Sequence, residues 1–275
     1  MLATSKTKPR VVVFVQARMG STRLPGKIMR NILGKPVLLH HIPRIRRAKT
    51  VDEVVVITTT STTDDIIAVL CAENNIPSYR GSELDLLDRH YQAAKKYKAD
   101  FVVKIPSDGP LTDPAIIDEV LELWLKNPDK YDYVSNYHPP TFPDGLDVEG
   151  CPFPILEIAW KEAKKPHERE HTFPFIWDHP ERFNIGNVVN PRGNMFLTHR
   201  FALDYEEDFQ FMRAVFGYFK ETPLFTADDV ISFVKKRSDI LELNKKYNGV
   251  NWYRTVPGEL KTVGSELYRE EPKQR

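Results

Sequence analysis

The chain has 275 residues, of which 41% are hydrophobic and 28% charged, with a net charge of +1. That balance excludes a fibrous or largely disordered architecture, and the length is enough for one large α/β domain with its own core. No apolar run approaches the ~20 residues that cross a bilayer, so no membrane partner is expected. Cys71 and Cys151 are too few for a disulfide framework and point to the reducing cytoplasm.

The small net charge hides an asymmetry. Residues 1–51 hold twelve Lys or Arg and no acid, which leaves 27 basic and 38 acidic residues, or −11, in the remainder. A basic segment ahead of an acidic body predicts a compact anionic ligand such as a nucleoside triphosphate. Nucleic acid is not expected. It needs a wider basic surface with interleaved aromatics, and Phe14 is the only Phe, Tyr or Trp among the first 51 residues.

In chain order, the first half alternates strand and helix signals. Residues 11–16 read as a buried strand. Residues 37–47 read as a helix with Leu38, Ile42 and Ile45 on one face, complicated by Pro43. Residues 53–58 form a second strand, and 64–74 a helix. Residues 84–97 form a helix with Leu87, Tyr91 and Ala94 inward. Residues 101–105 are a further strand. The helix over 114–126 starts at Pro114, with Asp113 as its cap. Strands spaced by helices in this way predict an α/β fold whose mostly parallel sheet is covered on both faces. Ligands of such sheets bind outside the carboxyl ends of the strands.

The rhythm changes near residue 136. Residues 136–200 are rich in Pro, His and aromatics, with strand signals near Val148 and over 185–189. They are expected to form an inserted, smaller α+β subdomain that covers the site and mediates dimerisation. The sheet is expected to resume at 201–203. Helices follow over 206–219 and 227–236, and 254–275 read as a polar tail. No repeat or linker divides the chain, so a single domain is expected.

The most informative stretch is Gln16-Ala17-Arg18-Met19-Gly20-Ser21-Thr22-Arg23-Leu24-Pro25-Gly26-Lys27, directly after the first strand. Gly20 and Gly26 allow backbone to approach a ligand closely. Backbone N–H groups in such a loop form an anion-binding nest. Arg18, Arg23 and Lys27 add three cations within ten positions, and a guanidinium grips phosphate through two donors. The stretch is not a P-loop: one residue too many separates Gly20 from Gly26-Lys27, and Ile28 stands where Ser or Thr would hold magnesium.

The loop, with Leu24-Pro25-Gly26-Lys27, resembles the signature of the cytidylyltransferases that make CMP-activated acidic sugars, the CMP-sialic acid and CMP-Kdo synthetases. The resemblance is nearer to the branch of spore coat polysaccharide biosynthesis protein F and covers roughly residues 10–240. Its further motifs are Tyr79-Arg80-Gly81-Ser82, Ser107-Asp108-Gly109-Pro110-Leu111, Pro143-Asp144-Gly145-Leu146-Asp147-Val148-Glu149, Glu168-Arg169-Glu170-His171 and Leu203-Asp204-Tyr205-Glu206-Glu207-Asp208. The resemblance implies a Rossmann-like, GT-A-like nucleotidyltransferase fold, CTP and magnesium as substrate and cofactor, and a homodimer.

Asp108 and Asp204 each follow a predicted strand, where such sheets present catalytic groups. Magnesium takes one or two carboxylates plus phosphates and waters, and the resemblance assigns that role to this pair. An Asp at position 204 also suits a helix cap, while Glu206 and Asp208 read as an exposed helix face. By resemblance, Arg80 and Ser82 contact cytosine, and Gln16, Ala17, Arg18, Gly20, Ser21, Arg23, Gly26 and Lys27 hold the nucleotide. The acceptor falls to the insertion. Asp144, Asp147 and Glu149 are candidates for its hydroxyls, with Asp147 and Glu149 on one face of a strand. Arg169, His171 and Arg200 are candidates for its carboxylate.

The expected reaction moves CMP from CTP to an acidic sugar or related hydroxy acid, with release of pyrophosphate. A phosphonate or sugar-phosphate acceptor, a nucleotide-sugar glycosyltransferase and a non-catalytic nucleotide sensor stay open. A remote rival is zinc hydrolysis at His167-Glu168-Arg169-Glu170-His171, which matches H-E-x-x-H. Pro174 would end that helix after barely two turns, and no third ligand is evident.

Overall fold

The computed structural model describes residues 8–272. The predicted strands form as β1 (Val11–Gln16), β4 (Glu53–Thr59) and β6 (Phe101–Pro106). A short ribbon of β2 (Asn31–Ile32) and β3 (Lys35–Pro36) follows the glycine-bordered loop. β5 (Ser78–Gly81), β7 (Tyr133–Ser135), β8 (Glu149–Pro152) and β9 (Ile185–Asn187) complete the set. Seven of these make one sheet in the order β5-β4-β1-β6-β8-β7-β9. The ladders are parallel except where β8 pairs with β6 and with β7.

Side-chain alternation along β1 divides the interior. Val11, Val13 and Val15 join one core with α1 (Val37–Ile45), α2 (Asp65–Glu73) and α4 (Pro114–Leu125). Val12 and Phe14 join the opposite core with α3 (Leu86–Tyr97), α5 (Phe153–Glu162) and α7 (Pro174–Trp177). Between the last two lies the short α6 (Pro166–His171). Both faces of the sheet are therefore apolar, and each fully buried Val or Phe adds about 1.5–3 kcal/mol. A third core under α8 (Glu206–Tyr218) and α9 (Ala227–Lys236) gathers Leu111, Leu146, Phe201 and Leu203. α10 (Ser238–Leu241) ends the helical part.

Three expectations change. Residues 201–203 are not a strand. They are extended and buried, but their backbone bonds outside the sheet: Phe201 N–H donates to the Asp144 carbonyl and Leu203 N–H to the Asp108 carbonyl. β8 already occupies the ladder edge of β6 that such a strand would need. The 136–200 stretch supplies β8 and β9 to the central sheet itself, beside the helices α5 to α7. Nor are residues 254–272 simply polar. Leu260 and Leu267 are buried, and Asp178 accepts the backbone N–H groups of Lys261 and Thr262 at 2.7 and 2.9 Å.

Because β8 runs against β6, the stretch that enters β8 crosses the carboxyl end of β6. The crossing is tight. A Cβ on Gly109 would lie 2.2 Å from the Gly145 carbonyl oxygen. Gly145 has φ +98°, and a Cβ there would strike the 201–202 backbone at 2.5 Å. Gly109→Ala is therefore expected to destabilise the fold by about 1–3 kcal/mol, the range for overpacking. Gly20→Ala, with nothing within 4 Å of its Cβ, should leave stability unchanged. Urea unfolding of the two variants checks the pair of outcomes.

Candidate active site

The site is built on the turn between β1 and α1. Met19 N–H donates to Asp64 Oδ1 at 2.7 Å, and the other Asp64 oxygen accepts the Thr59 hydroxyl. This fully buried aspartate pins the loop to the end of β4. Gly26 takes φ +64°, the left-handed region that favours glycine, and its N–H bonds back to the Met19 carbonyl. Gly20 has no such requirement. The turn directs Lys27 inward, and its ammonium reaches Asp204 Oδ1 at 2.7 Å and Asp108 Oδ2 at 3.1 Å. Burial lowers the Lys27 pKa, but the two carboxylates outweigh it and hold the amine charged. Arg23 pairs with the same Asp204 oxygen at 2.8 Å and lies over the Tyr205 ring.

Asp204 is thus no helix cap. Asp208 does that work, accepting the N–H groups of Asp204 and Tyr205 at 2.9 and 3.0 Å. Contrary to the expected exposed face, Asp208 is fully buried, while Glu206 is exposed as expected. Arg200 explains the difference. Its guanidinium is buried among Asp144, Asp204 and Asp208, with Nη2 at 2.9 Å from Asp204 and Nε at 3.0 Å from Asp208. Arg200 therefore fixes aspartates and does not face an acceptor.

Three cations (Arg23, Lys27, Arg200) meet four carboxylates (Asp108, Asp144, Asp204, Asp208) here. One negative charge is in excess, and the group that takes the proton is set by its neighbours. Burial pushes Asp204 up, but Lys27, Arg200 and Arg23 together hold it well below the usual carboxylate range. Burial and the neighbouring aspartates push Asp144 up to about 7 despite Arg200.

A cleft of about 710 Å³ opens over this cluster, within the usual range for small-ligand sites. Gln16, Ala17, Arg18, Gly20, Ser21, Arg23 and Lys27 line one side, with Asp108 and Asp204 at its floor. Arg18 is exposed there with no ion pair among the described residues. Asp144, Asp147, Glu149 and His171 line the other side. Asp147 accepts no hydrogen bond among the described residues, and burial with its acidic neighbours pushes its carboxyl well up. Glu149 is taken by Lys104 at 2.6 Å and the Tyr133 hydroxyl at 2.7 Å. His171 stacks on Trp252, with ring centroids 3.8 Å apart. Burial and Lys104 push its pKa well below the ordinary value, so it is neutral and cannot pair with a carboxylate as a cation.

Gly26 does not line the cleft, and besides Arg200 three expected side-chain contacts fall outside it. Arg80 turns to the Thr59 and Ser61 carbonyls, both at 2.8 Å, and to Asp65 at 2.7 Å. Ser82 accepts the Asp85 N–H. Arg169 grips Asp85, the N-cap of α3, and the Trp160 carbonyl. Each is a polar side chain that found backbone or a cap nearer than the ligand space. The H-E-x-x-H stretch is also otherwise engaged. Glu168 accepts the N–H groups of Lys164 and Lys165, and no cluster of three metal-ligating side chains occurs among the described residues.

Sequence reasoning missed several lining residues, Lys104, Arg89, Trp252 and Arg254 among them. Lys104 interrupts an apolar strand, a signal that was visible. Arg89 is buried at the cleft wall, where its guanidinium donates to the Ser82 and Glu83 carbonyls; burial and Arg18 lower its pKa to about 10. Trp252 and Arg254 come from the C-terminal stretch, and nothing in their local pattern places them at a site.

A cationic loop after the first strand of a mostly parallel sheet, bonded through Lys27 and Arg23 to an aspartate pair beneath a cleft, is the arrangement of a nucleotide-handling α/β enzyme. The sequence model of the family described as Cytidylyltransferase matches residues 12–247. The chain belongs to that family and is a nucleotidyltransferase. A cytidylyltransferase structure from Leptospira borgpetersenii serovar Hardjo-bovis is 32% identical with a TM-score of 0.80, over 85% of this chain and 97% of that one. Spore coat polysaccharide biosynthesis protein SpsF of Bacillus subtilis is 27% identical over 83% of this chain and 95% of its own length. The structure of a CMP:2-keto-3-deoxy-manno-octonic acid synthetase complexed with CTP shares the fold, at TM-score 0.57 and 17% identity over 76% of this chain and 99% of that one. Among the described residues no helix is long and apolar enough to cross a membrane.

The raised Asp144 pKa has a definite sign. Between about pH 4 and 7 the folded protein holds a proton there that the unfolded chain releases, so this group's contribution falls as pH rises. Stability of the wild type relative to Asp144→Asn should therefore decline from pH 4 to 7. Paired denaturant titrations across that range read it directly, and a flat or rising difference contradicts the assignment.

Proposed function

We propose that the protein transfers CMP from CTP to an acidic sugar or a related hydroxy acid, with release of pyrophosphate, in the making of a surface polysaccharide or glycoconjugate. The carrying observation is the bridge from Lys27 to both Asp108 and Asp204. Family membership supports the nucleotide, and the polysaccharide biosynthesis for which the Bacillus subtilis relative is named supports the setting.

The donor set suits magnesium. Carboxylate oxygens are its preferred ligands, and Asp108 Oδ1 has no partner among the described residues. Both Asp204 oxygens are held by Lys27, Arg23 and Arg200, so Asp204 suits the ion once Lys27 and Arg23 turn to phosphate. Bound at Asp108 and Asp204, magnesium would neutralise phosphate charge and orient the leaving pyrophosphate. The protein's own part is positioning and electrostatics. Arg18, Arg23 and Lys27 hold the triphosphate. An acceptor oxygen attacks the α-phosphorus, its bond to phosphorus forms as the bond to pyrophosphate breaks, and its proton passes to water. Asp147 and Glu149 face the acceptor.

Pyrophosphate release with each of the four nucleoside triphosphates, against a panel of acidic sugars and hydroxy acids, tests the reading. Release restricted to CTP and an acidic acceptor is expected. Turnover of a nucleotide sugar without pyrophosphate would overturn it. Asp108→Asn should lower kcat by about 100- to 1,000-fold with much of the CTP affinity kept, as expected for a group that matters as charge develops. Lys27→Ala should weaken CTP binding by about 10- to 100-fold and acceptor binding far less.

A further inference from the structure

The family match ends at residue 247, yet the cleft is closed by residues beyond it: Asn251, Trp252, Arg254 and Thr255 line its wall. This stretch is firmly seated. Tyr253 is fully buried in the core with Trp177 and Tyr137. Asn251 receives the Tyr253 N–H at 2.7 Å and donates to the Leu267 carbonyl at 3.1 Å. Arg254 donates to the Asn251 carbonyl, so its guanidinium is held in place.

That guanidinium does not stand alone. Glu271 Oε1 bonds Arg254 Nη2 and lies 3.6 Å from Nη1 of Arg23. One carboxylate oxygen thus sits between a guanidinium of the cationic loop and one from the C-terminal stretch. Arg23 in turn pairs with Asp204 at 2.8 Å, which places this carboxylate one guanidinium away from the aspartate that Lys27 also holds. Arg254 is largely buried, whereas Glu271 is more than a third exposed. Arg254 is the fixed member of the contact, and Arg23 and Glu271, each about a third exposed, are the exchangeable ones.

We propose that Arg23 and Arg254 together form the site for the terminal phosphates of the nucleoside triphosphate, which leave as pyrophosphate, and that Glu271 is a built-in anion competing for it. The inference rests on the triphosphate reading above but not on which base the nucleotide carries. Two guanidinium forks gathered on one anionic oxygen are a phosphate-binding arrangement, since each can offer paired donors to a tetrahedral group with more oxygens and more charge than a carboxylate. The acceptor is a weaker candidate, because its side of the cleft is bounded by Asp147, Glu149 and Lys104. When the triphosphate enters, Glu271 gives up both arginines to it. When pyrophosphate leaves, Glu271 returns.

The test is calorimetric titration of the full chain with inorganic pyrophosphate, CTP and CMP. Arg254→Ala should weaken pyrophosphate and CTP about tenfold or more, with CMP within about twofold of wild type. Glu271→Gln should tighten pyrophosphate several-fold. Wild-type pyrophosphate affinity in Arg254→Ala, or a change confined to the acceptor KM, overturns the proposal. Should Arg254→Ala fail to fold by thermal melting, Glu271→Gln decides: unchanged pyrophosphate affinity overturns it. Pyrophosphate binding that depends on Arg254, in a protein that transfers no CMP, would retain this inference and reject the cytidylyl reading.

Discussion

One ammonium joined to two carboxylates organises the site. Lys27 comes from the loop after β1, Asp108 from the end of β6 and Asp204 from the extended stretch before α8, residues 81 and 177 positions from the lysine. Three separately folded parts of the chain are drawn to one point. An exposed ion pair would be worth about 0–1 kcal/mol, but Lys27 is largely buried and both carboxylates share it. Removing Lys27 would leave two neighbouring carboxylates without their shared cation in a partly dehydrated place, which costs several kcal/mol. The same charges serve the proposed reaction. Cations released from the aspartates would meet phosphate, and Asp108 and Asp204 would then be free to hold magnesium, so the groups the reaction needs are already in position.

The antiparallel strand β8 supplies the rest of the geometry. A purely parallel sheet would bring only loop residues to its carboxyl end. With β8 reversed against β6, residues 144–149 run into the sheet at the end where Asp108 emerges. Gly109 and Gly145 let the two backbones touch, and the carbonyls of Asp108 and Asp144 accept from Leu203 and Phe201. These bonds hold residues 201–204 extended beside the sheet without joining it. Asp204 is placed by backbone contact and then oriented by Arg200.

What could be read from the sequence follows from how local each signal is. The run Val11-Val12-Val13-Phe14-Val15 can only be a strand buried on both faces, and the three cations beyond it belong to the same turn. Asp108 and Asp204 were recognisable because each follows an apolar run. The apolar character of Phe201-Ala202-Leu203 reported burial correctly, but burial does not specify a sheet ladder. Charged residues were least legible. Asp208 and Glu206 look alike in sequence, and only Arg200, brought in by the fold, separates the buried one from the exposed one. Arg80 and Arg169 failed as ligand contacts for the same reason: a guanidinium takes whichever acceptors are nearest, and tertiary structure decides which those are. Residues 250–255 carry no local motif at all and reach the cleft because Tyr253 anchors them in the core.

The distribution of unpaired charge separates the two halves of the cleft. Most cationic and acidic groups around it neutralise one another within the chain, as Lys104 does with Glu149 and Arg200 with its aspartates. Arg18 on the loop side and Asp147 on the opposite side lack an ion partner among the described residues. A charge left unpaired at a cleft wall is costly unless solvent or a ligand meets it. The unpaired cation stands where an anionic triphosphate would lie. The unpaired carboxyl, its pKa pushed up by burial and by Asp144, Asp108 and Glu149, stands where a hydroxyl donor would approach. Raising its pKa favours the neutral form, which adds no further negative charge to a cleft that admits a triphosphate.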